Sequence, residues 1–332
     1  MAARLLARRR APVALLALGL AAALACATAR RPEPPPPAAF HWHVRAPGGG
    51  ELFLLGSVHV GSGQELALPP EMALDWARAA ELVVEVDLAR LPDLERLEAV
   101  QRHGLLPPDR TLEDVVSAAT FRALAAYLRA QGYPLAAASR MRPWLLAQVV
   151  AQLEFAAAGY DPENGVDAWF LRRAALDGKP VAQLETLEEQ LAAFAALPAA
   201  VEEALLREIL ADVDAVVAST QAILHAWEAG DEARLLELLL GDRDDRRLAA
   251  FHEAVFVARN HRMAERLAAL AERDPVARFV VIGAGHLIGP QSVPELLADA
   301  GFEVERQPDA FVRTLPLAPA PAPPAPQPPL GP

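Results

Sequence analysis

The sequence of 332 residues contains one cysteine, one lysine and no long internal apolar run. A single cysteine, Cys26, excludes a disulfide within the chain, because a bridge needs two. Hydrophobic residues make up 53% of the chain, yet beyond the N-terminus none of them form the run of about 18 that a membrane-spanning helix needs. The formal net charge is -12. Since nucleic-acid binding needs clustered cations, we predict no nucleic-acid partner.

Several catalytic signatures are also missing. The chain has no G-x-S-x-G elbow, no Walker phosphate loop and no H-E-x-x-H zinc motif. The glycine-rich stretch "GAGHLIG" (283–289) lacks the dinucleotide-binding fingerprint. If Cys26 is cleaved off or modified, no thiol nucleophile remains. Histidines and carboxylates are therefore the candidates for any chemistry.

The N-terminus has the order of a secretory signal. Residues 1–25 begin with several arginines, continue with "APVALLALGLAAALA" and end in small residues. Cys26 follows directly, which is the position of the lipidated cysteine of a bacterial lipoprotein, while "ALA" at 23–25 also fits ordinary cleavage. We expect export, either to the periplasm as a soluble protein or to a membrane surface through a lipid on Cys26.

Proline marks both ends of the predicted folded region. Residues 26–39 contain "RPEPPPP" and are predicted to be an extended linker. Residues 315–332 are almost entirely proline and alanine, a composition that cannot bury a core and favours disorder. The folded domain is therefore predicted to span residues 40–314.

The chain carries Gly-x-x-His after an apolar run twice. The two copies are "LLGSVH" (54–59) and "VVIGAGH" (280–286). Each is followed by a helical pattern and then a strand pattern, at 69–87 and at 292–307. We therefore predict an α/β fold with a pseudo-duplicated β-GxxH-α-β core, in which helical crossovers give mostly parallel strands.

Other segments have helical or strand patterns. Residues 40–44 and 51–58 flank a glycine-rich turn and predict a hairpin. A large helical insertion is expected at about 92–275. The predicted helices within it cover 111–132, 142–159, 164–178, 200–229 and 243–273, with a strand at 179–185.

Two glycines and two histidines form the candidate site. Ligands of open α/β sheets gather beyond the carboxyl ends of strands, where His59 and His286 are expected. Gly56 and Gly283 are expected to let the backbone turn there without a Cβ clash. The two imidazoles could share one metal ion, or one could be a ligand and the other a general base.

Carboxylates end the neighbouring strand patterns. Glu85 and Asp87 lie in "LVVEVD" (82–87) and Glu185 ends "PVAQLE", where a buried carboxylate is costly unless it is paired or bound to a metal. Asp167 starts a helix. Each has a plainer alternative: Glu85 as a strand-end surface residue, Glu185 as a helix cap, and Asp167 as a first-turn acid.

A helix pattern supplies two more candidates. Arg259 and Asn260 lie in "ARNHRMAERL" (258–267), and Arg259 could hold a carboxylate or an oxyanion in two hydrogen bonds. A surface position would explain Arg259 equally well. His41 and His43 alternate with Phe40 and Trp42, which predicts solvent-facing positions on a strand.

These motifs, in this order, resemble the TraB/GumN family, which includes the Tiki membrane metalloproteases. The resemblance covers nearly all of residues 40–307 and also includes "PW" (143–144), "NGVDAWFLRRA" (164–174) and "GKPVAQLET" (178–186). It implies a fold similar to erythromycin esterase and the haem-binding ChaN proteins. Tiki members are regarded as metal-dependent proteases, and the pheromone-shutdown members are associated with peptide binding. The family positions match His59, Glu85 and His286 and the helix pair Arg259 and Asn260.

The resemblance and the residues together predict an exported metal-dependent hydrolase, such as a peptidase. His59, Glu85 and His286 would bind a divalent ion such as Mn, Co or Zn, and Arg259 would stabilise an oxyanion. The partner would be a peptide or small-molecule substrate. Two alternatives stay open: a metal-free hydrolase with His59 as its base, and a non-catalytic protein that binds haem, metal or peptide.

Overall fold

The computed structural model of the chain describes residues 40–61, 63, 65–241, 246–307 and 313–315. The predicted signal peptide and linker, with Cys26, lie outside the described residues. So does the predicted proline-rich tail, apart from Leu315, which ends a short strand.

The described residues form eight strands and thirteen α-helices. The strands are β1 (His41–Arg45), β2 (Glu51–Ser57), β3 (Glu65–Ala67), β4 (Glu81–Val84), β5 (Val181–Gln183), β6 (Ala277–Gly283), β7 (Glu303–Arg306) and β8 (Arg313–Leu315). The helices are α1 (Pro70–Arg78), α2 (Asp93–Gly104), α3 (Ala118–Ala130), α4 (Leu135–Ala138), α5 (Pro143–Ala157), α6 (Val166–Asp177), α7 (Leu187–Ala195), α8 (Ala199–Ala211), α9 (Val213–Glu228), α10 (Glu232–Leu240), α11 (Arg246–His252), α12 (Ala258–Arg273) and α13 (Val293–Asp299). A π-helix, Glu253–Val257, joins α11 to α12.

Six strands form one sheet in the order β5-β4-β6-β2-β1-β7. Strands β5, β4, β6 and β2 are parallel, and β1 is antiparallel to both of its neighbours. This arrangement confirms the predicted α/β fold with a mostly parallel sheet. In the β2–β6 pair Ser57 lies opposite Gly283, so the two GxxH motifs leave the sheet side by side.

The two β-GxxH-α-β units share their chain order but not their crossovers. The unit β2-α1-β4 passes over one strand, β6, before it rejoins the sheet. The unit β6-α13-β7 passes over two strands, β2 and β1. Both units return in the parallel direction, as helical crossovers do, and the similarity is therefore local to the motif and its following helix.

The centre of the sheet is apolar on both faces. Residues 52–55 of β2 and 279–282 of β6 are fully buried, as expected for parallel strands covered on both sides. Helices α1 and α6 pack there through Trp76 and Phe170, whose rings lie 5.4 and 5.0 Å from the ring of Phe279.

A second apolar cluster lies among the helices. It includes Leu124, Leu146, Val150 and Leu206, with Val60 from the segment after the first GxxH motif. The strand predicted at 179–185 within the insertion at 92–275 is found as β5, which belongs to the main sheet.

Two local predictions were wrong. Residues 200–229 were expected to be one helix, but α8 and α9 meet at a bend of 94°. Asp212 lies at the bend, where its side chain accepts the backbone N–H of Ala215 and starts α9. His41 was expected to face solvent but is 1% exposed, because α1 packs on its face of the sheet and brings Asp75 to 3.6 Å from His41 Nε2. Burial lowers the pKa of His41 to about 4.

Membrane-spanning length is not reached by any single helix of the described residues. Helices α8 and α9 reach it only when they are counted together across their bend.

The predicted helix at 243–273 is found from Arg246 onward as α11, the π-helix and α12.

The motif glycines are needed for space rather than for turning. Gly56 and Gly283 both have negative φ values that other residues also adopt, so only the second part of the expectation, the avoided Cβ clash, applies here. A Cβ on Gly56 would lie 3.0 Å from the Cα of Ala284 and 3.0 Å from the Cβ of Phe40. The close approach of the second motif to the first therefore excludes a side chain here.

Gly56→Ala is expected to lower the free energy of unfolding by about 1–3 kcal/mol through this overpacking. Gly48→Ala is the matched control, since a Cβ there would meet nothing within 4 Å. Urea unfolding of both variants measures the difference. Equal stability of the two variants would contradict the close-approach explanation.

Candidate active site

His59, Glu85 and His286 converge on one small space beside Gly283. A Cβ on Gly283 would lie 3.1 Å from Glu85 Oε1, 3.2 Å from His59 Nε2 and 3.5 Å from His286 Cδ2. The φ of Gly283 is -53°, a value that any residue adopts, so the missing side chain serves to leave this space open. We call this space the Gly283 cradle.

His286 is buried and has a defined tautomer. Its Nδ1 lies 2.6 Å from Asn260 Oδ1, and Asn260 Nδ2 donates to the carbonyl of Gln291 at 2.8 Å. Because an amide oxygen only accepts, Nδ1 carries the hydrogen and Nε2 keeps a lone pair. That Nε2 lies 3.8 Å from Glu85 Oε1. Burial, together with the charge of Arg259, lowers the pKa of His286 to about 3, so the ring is neutral.

His59 has the same motif position but the opposite environment. Its side chain is 62% exposed, and its Nδ1 lies 2.8 Å from Asp167 Oδ2. Asp167 Oδ1 in turn accepts the hydroxyl of Ser57 at 2.8 Å. The negative charge of Asp167 raises the pKa of His59 to about 9. His59 is therefore an imidazolium at neutral pH, with Nε2–H directed to the cradle.

The segment 161–166 fixes the backbone next to His59. Val166 N–H donates to the carbonyl of Val58 at 2.9 Å, and Gly61 and Asp161 exchange backbone hydrogen bonds. A Cβ on Gly165 would lie 2.6 Å from the carbonyl oxygen of His59. Gly165 therefore permits the approach that brings Asp167 to the imidazole.

Glu85 is buried and ionised. Its Oε1 accepts the backbone N–H of Gly283 at 2.6 Å, and its Oε2 accepts Arg259 Nη2 at 2.6 Å and Gln190 Nε2 at 3.0 Å. Burial alone would raise the pKa of this carboxyl group. The positive charge of Arg259 and the hydrogen bonds outweigh burial and hold the pKa well below its ordinary value.

Arg259 joins two buried carboxylates. Besides Glu85, it donates from Nε and Nη2 to Glu185 Oε2 at 2.9 and 2.7 Å, and from Nη1 to the carbonyl of Val255 at 3.2 Å. Glu185 is 1% exposed and does not cap α7, since Thr186 does so. Both plainer alternatives, a surface Arg259 and a capping Glu185, are therefore wrong.

The structure brings most of the sequence candidates together and leaves one apart. Asp87 lies outside the cluster, where its carboxylate accepts the backbone N–H of Arg90. Asp167 combines two roles, because it lies in the first turn of α6 and also binds His59. The sequence did not lead us to predict three residues of the site, Gln190, Gly165 and Gln291. The motif "NGVD" could have pointed to Gly165, whereas an isolated glutamine has no recognisable pattern around it.

The donor set fits a divalent metal ion in kind. Two imidazoles together with one carboxylate are a common metal-binding set. In both imidazoles the Nδ1–H donates to an oxygen, and such outer partners orient metal-binding histidines. The three groups surround the position that a Cβ of Gly283 would occupy. As they stand, no three His, Cys, Asp or Glu side chains among the described residues are at metal-binding distances from a common point.

A family model, that of the TraB/PrgY/gumN family, matches residues 40–306. The chain belongs to this family. The match confirms the resemblance seen in the motifs. This TraB/PrgY/gumN protein is 26% identical over 267 residues to the uncharacterized protein YbaP of Escherichia coli (strain K12), across 76% of the chain and 90% of YbaP.

The same identity and coverage hold for YbaP of Shigella flexneri. A shorter match, 47% identical over 51 residues, links the chain to the metalloprotease TIKI2 of Danio rerio. It covers 15% of this chain and 10% of TIKI2. No solved structure matches this TraB/PrgY/gumN protein.

The His59–Asp167 pair should make stability depend on pH. The pKa of His59 is about 9 in the folded TraB/PrgY/gumN protein and about 6.5 in an unfolded chain. The contribution of the His59–Asp167 pair to the free energy of unfolding is therefore complete below about pH 6.5 and is lost as pH rises through about 9. Urea unfolding of wild type and Asp167→Asn, with chelator present, should show a stability difference that shrinks from about pH 6 to about pH 9.5. A difference that does not vary with pH would contradict the pairing.

Removing the buried cation should be costly. Arg259→Met leaves Glu85 and Glu185 without their shared partner, so we expect a loss of about 3–5 kcal/mol in unfolding free energy. Arg262→Met is the control, since Arg262 is 37% exposed and 3.3 Å from Glu185, and should cost at most about 1 kcal/mol. In the double variant Arg259→Met/Glu185→Gln the loss should be smaller than in Arg259→Met. Additive losses would show that the two residues act independently.

Proposed function

We propose that this protein is a hydrolase whose active site is the Gly283 cradle. The observation that carries the proposal is the convergence of His59 Nε2, Glu85 Oε1 and the His286 ring on this space. Each of the three groups has a separate partner that fixes its orientation: Asp167 for His59, Arg259 for Glu85 and Asn260 for His286. Such preorganisation is what acid–base and electrostatic catalysis require.

The two histidines would have different tasks. When no ion is bound, His59 is an imidazolium held by Asp167 and can donate its Nε2 proton to a leaving group. His286 is neutral and offers a lone pair, and its low pKa makes it a weak base but an available ligand. Glu85, kept ionised by Arg259, supplies the negative charge between them.

We further propose that His59, Glu85 and His286 hold a divalent ion such as Mn, Co or Zn. Such an ion polarises a carbonyl group and lowers the pKa of water when it is bound. His59 would have to release its Nε2 proton to serve as a ligand, which makes ion affinity fall in acid. A proton and the ion would compete for Nε2, and the raised pKa of His59 strengthens the binding of the proton.

Arg259 has a different role in this proposal from the oxyanion contact expected from its sequence. Its Nε, Nη1 and Nη2 already donate to Glu185, to the Val255 carbonyl and to Glu85. It is 6% exposed. We therefore assign Arg259 to the positioning and ionisation of Glu85.

The substrate class we propose is a peptide, with a small ester or amide as the broader class. The similarity of 51 residues to a protein named as a metalloprotease supports this choice. Export is proposed on the composition of residues 1–25, with attachment through Cys26 as one form of it.

A metal-free hydrolase is the second candidate, and the 2.8 Å contact between His59 and Asp167 favours it. With a pKa of about 9, His59 would be a free base mainly in alkaline solution. Activity that persists in chelator and rises toward about pH 9 would identify this alternative.

Peptide-library cleavage read by mass spectrometry, with a panel of esters, tests the proposal. Wild type is assayed in chelator and after addition of Zn, Mn or Co. We expect His59→Gln and His286→Gln to lower kcat/KM by about 100-fold or more, because each removes a group from the cradle. Gly283→Ala should do the same by filling the cradle while every functional group stays in the chain.

His225→Gln is the control, since His225 lies on an exposed position of α9. If wild type cleaves none of the substrates with any of the ions, or if the three site variants match this control, the proposed function is wrong. Ligand binding without turnover through the same histidines would point to the sequestering alternative.

A further inference from the structure

Gln291 has an unusual backbone conformation next to the site. Among the described residues it is the non-glycine residue with a positive φ, 55°. L-residues rarely adopt this left-handed conformation. Where they do, the surrounding structure holds them there, often at a functional site.

Three contacts hold Gln291 in place. Its backbone N–H donates to Glu295 Oε2 at 2.5 Å, and its carbonyl accepts Asn260 Nδ2 at 2.8 Å. Its side-chain oxygen lies 3.1 Å from His261 Nε2. The segment that follows the second GxxH motif is therefore bound back onto α12 beside Asn260.

The carbonyl of Gln291 determines which way the Asn260 amide points. Asn260 is 2% exposed, so water does not replace a lost partner. If the amide were flipped, its oxygen would face the carbonyl oxygen of Gln291, and two acceptors would be in contact. The observed orientation turns Oδ1 to His286 Nδ1.

The amide orientation in turn fixes the proton of His286. With Oδ1 as its neighbour, Nδ1 must carry the hydrogen, and the lone pair of Nε2 faces Glu85. A flipped amide would donate to Nδ1 and move the hydrogen to Nε2. The lone pair would then be lost from the cradle.

We propose that Gln291 is a positioning residue that fixes the tautomer of His286 through Asn260. The importance of Gln291 for catalysis rests on the proposed function. The effect of Gln291 on the tautomer of His286 does not depend on that function. Outer partners of this kind commonly affect ion affinity or activity by about 10–100-fold.

The test is nitrogen-15 NMR of the full chain labelled on histidine, in chelator. His286→Gln identifies the resonances of His286. Wild type should show a neutral ring with hydrogen on Nδ1. Gln291→Val, a β-branched residue that does not suit positive φ, and Glu295→Ala, which removes the partner of the Gln291 N–H, should give a mixture of tautomers. Gln291→Gly and Gln291→Asn, which tolerate positive φ, are the controls and should keep the wild-type spectrum.

The proposal is overturned if wild type carries its hydrogen on Nε2. It is also overturned if Gln291→Val and Glu295→Ala both keep a single Nδ1–H form. Circular dichroism checks that each variant is folded, and if one variant does not fold, the other decides the outcome. If the tautomers behave as expected but no preparation hydrolyses a substrate, the proposed function fails and the positioning role stands.

Discussion

The buried ion pair between Arg259 and Glu85 is the contact on which the rest of the site depends. A carboxyl group in apolar surroundings would be neutral, since burial penalises its charge. Arg259 reverses this, and it is balanced in turn by Glu185. The pair joins residues 174 positions apart, from the end of β4 to α12. Glu85 is therefore held in its ionised form only when the sheet and α12 are packed together.

The two GxxH histidines show that a motif does not fix the chemistry of its residue. Both follow parallel strands that end at the same edge of the sheet. His59 is exposed and faces a carboxylate, which favours its charged form, while His286 is buried and faces an amide, which leaves it neutral. The same local sequence thus gives one charged and one neutral imidazole. The difference arises from the partners, Asp167 and Asn260, which lie far from the motifs in sequence.

The features that could be predicted from the sequence depend on local pattern. Apolar runs identified β2, β4 and β6, and the repeat of GxxH identified the shared edge. Glu85 stood out because a charge within such a run needs a partner. Long-range contacts could not be predicted in the same way. Gln190 reaches Glu85 across 105 residues. His41 looked exposed because its alternating pattern does not reveal that α1 packs on its face of the sheet.

The absence of a Cβ at Gly283 defines the site. The expected turn needs no special φ, since Gly283 has an ordinary value, but the expected Cβ clash is real, because functional groups surround the Cβ position on three sides. Glu85 and His286 are buried, whereas His59 is mostly exposed. The side of the cradle with Glu85 and His286 is covered by Arg259 and Asn260 of α12 and by Phe256 of the π-helix. In the proposed hydrolase a substrate would therefore reach the cradle past the exposed His59.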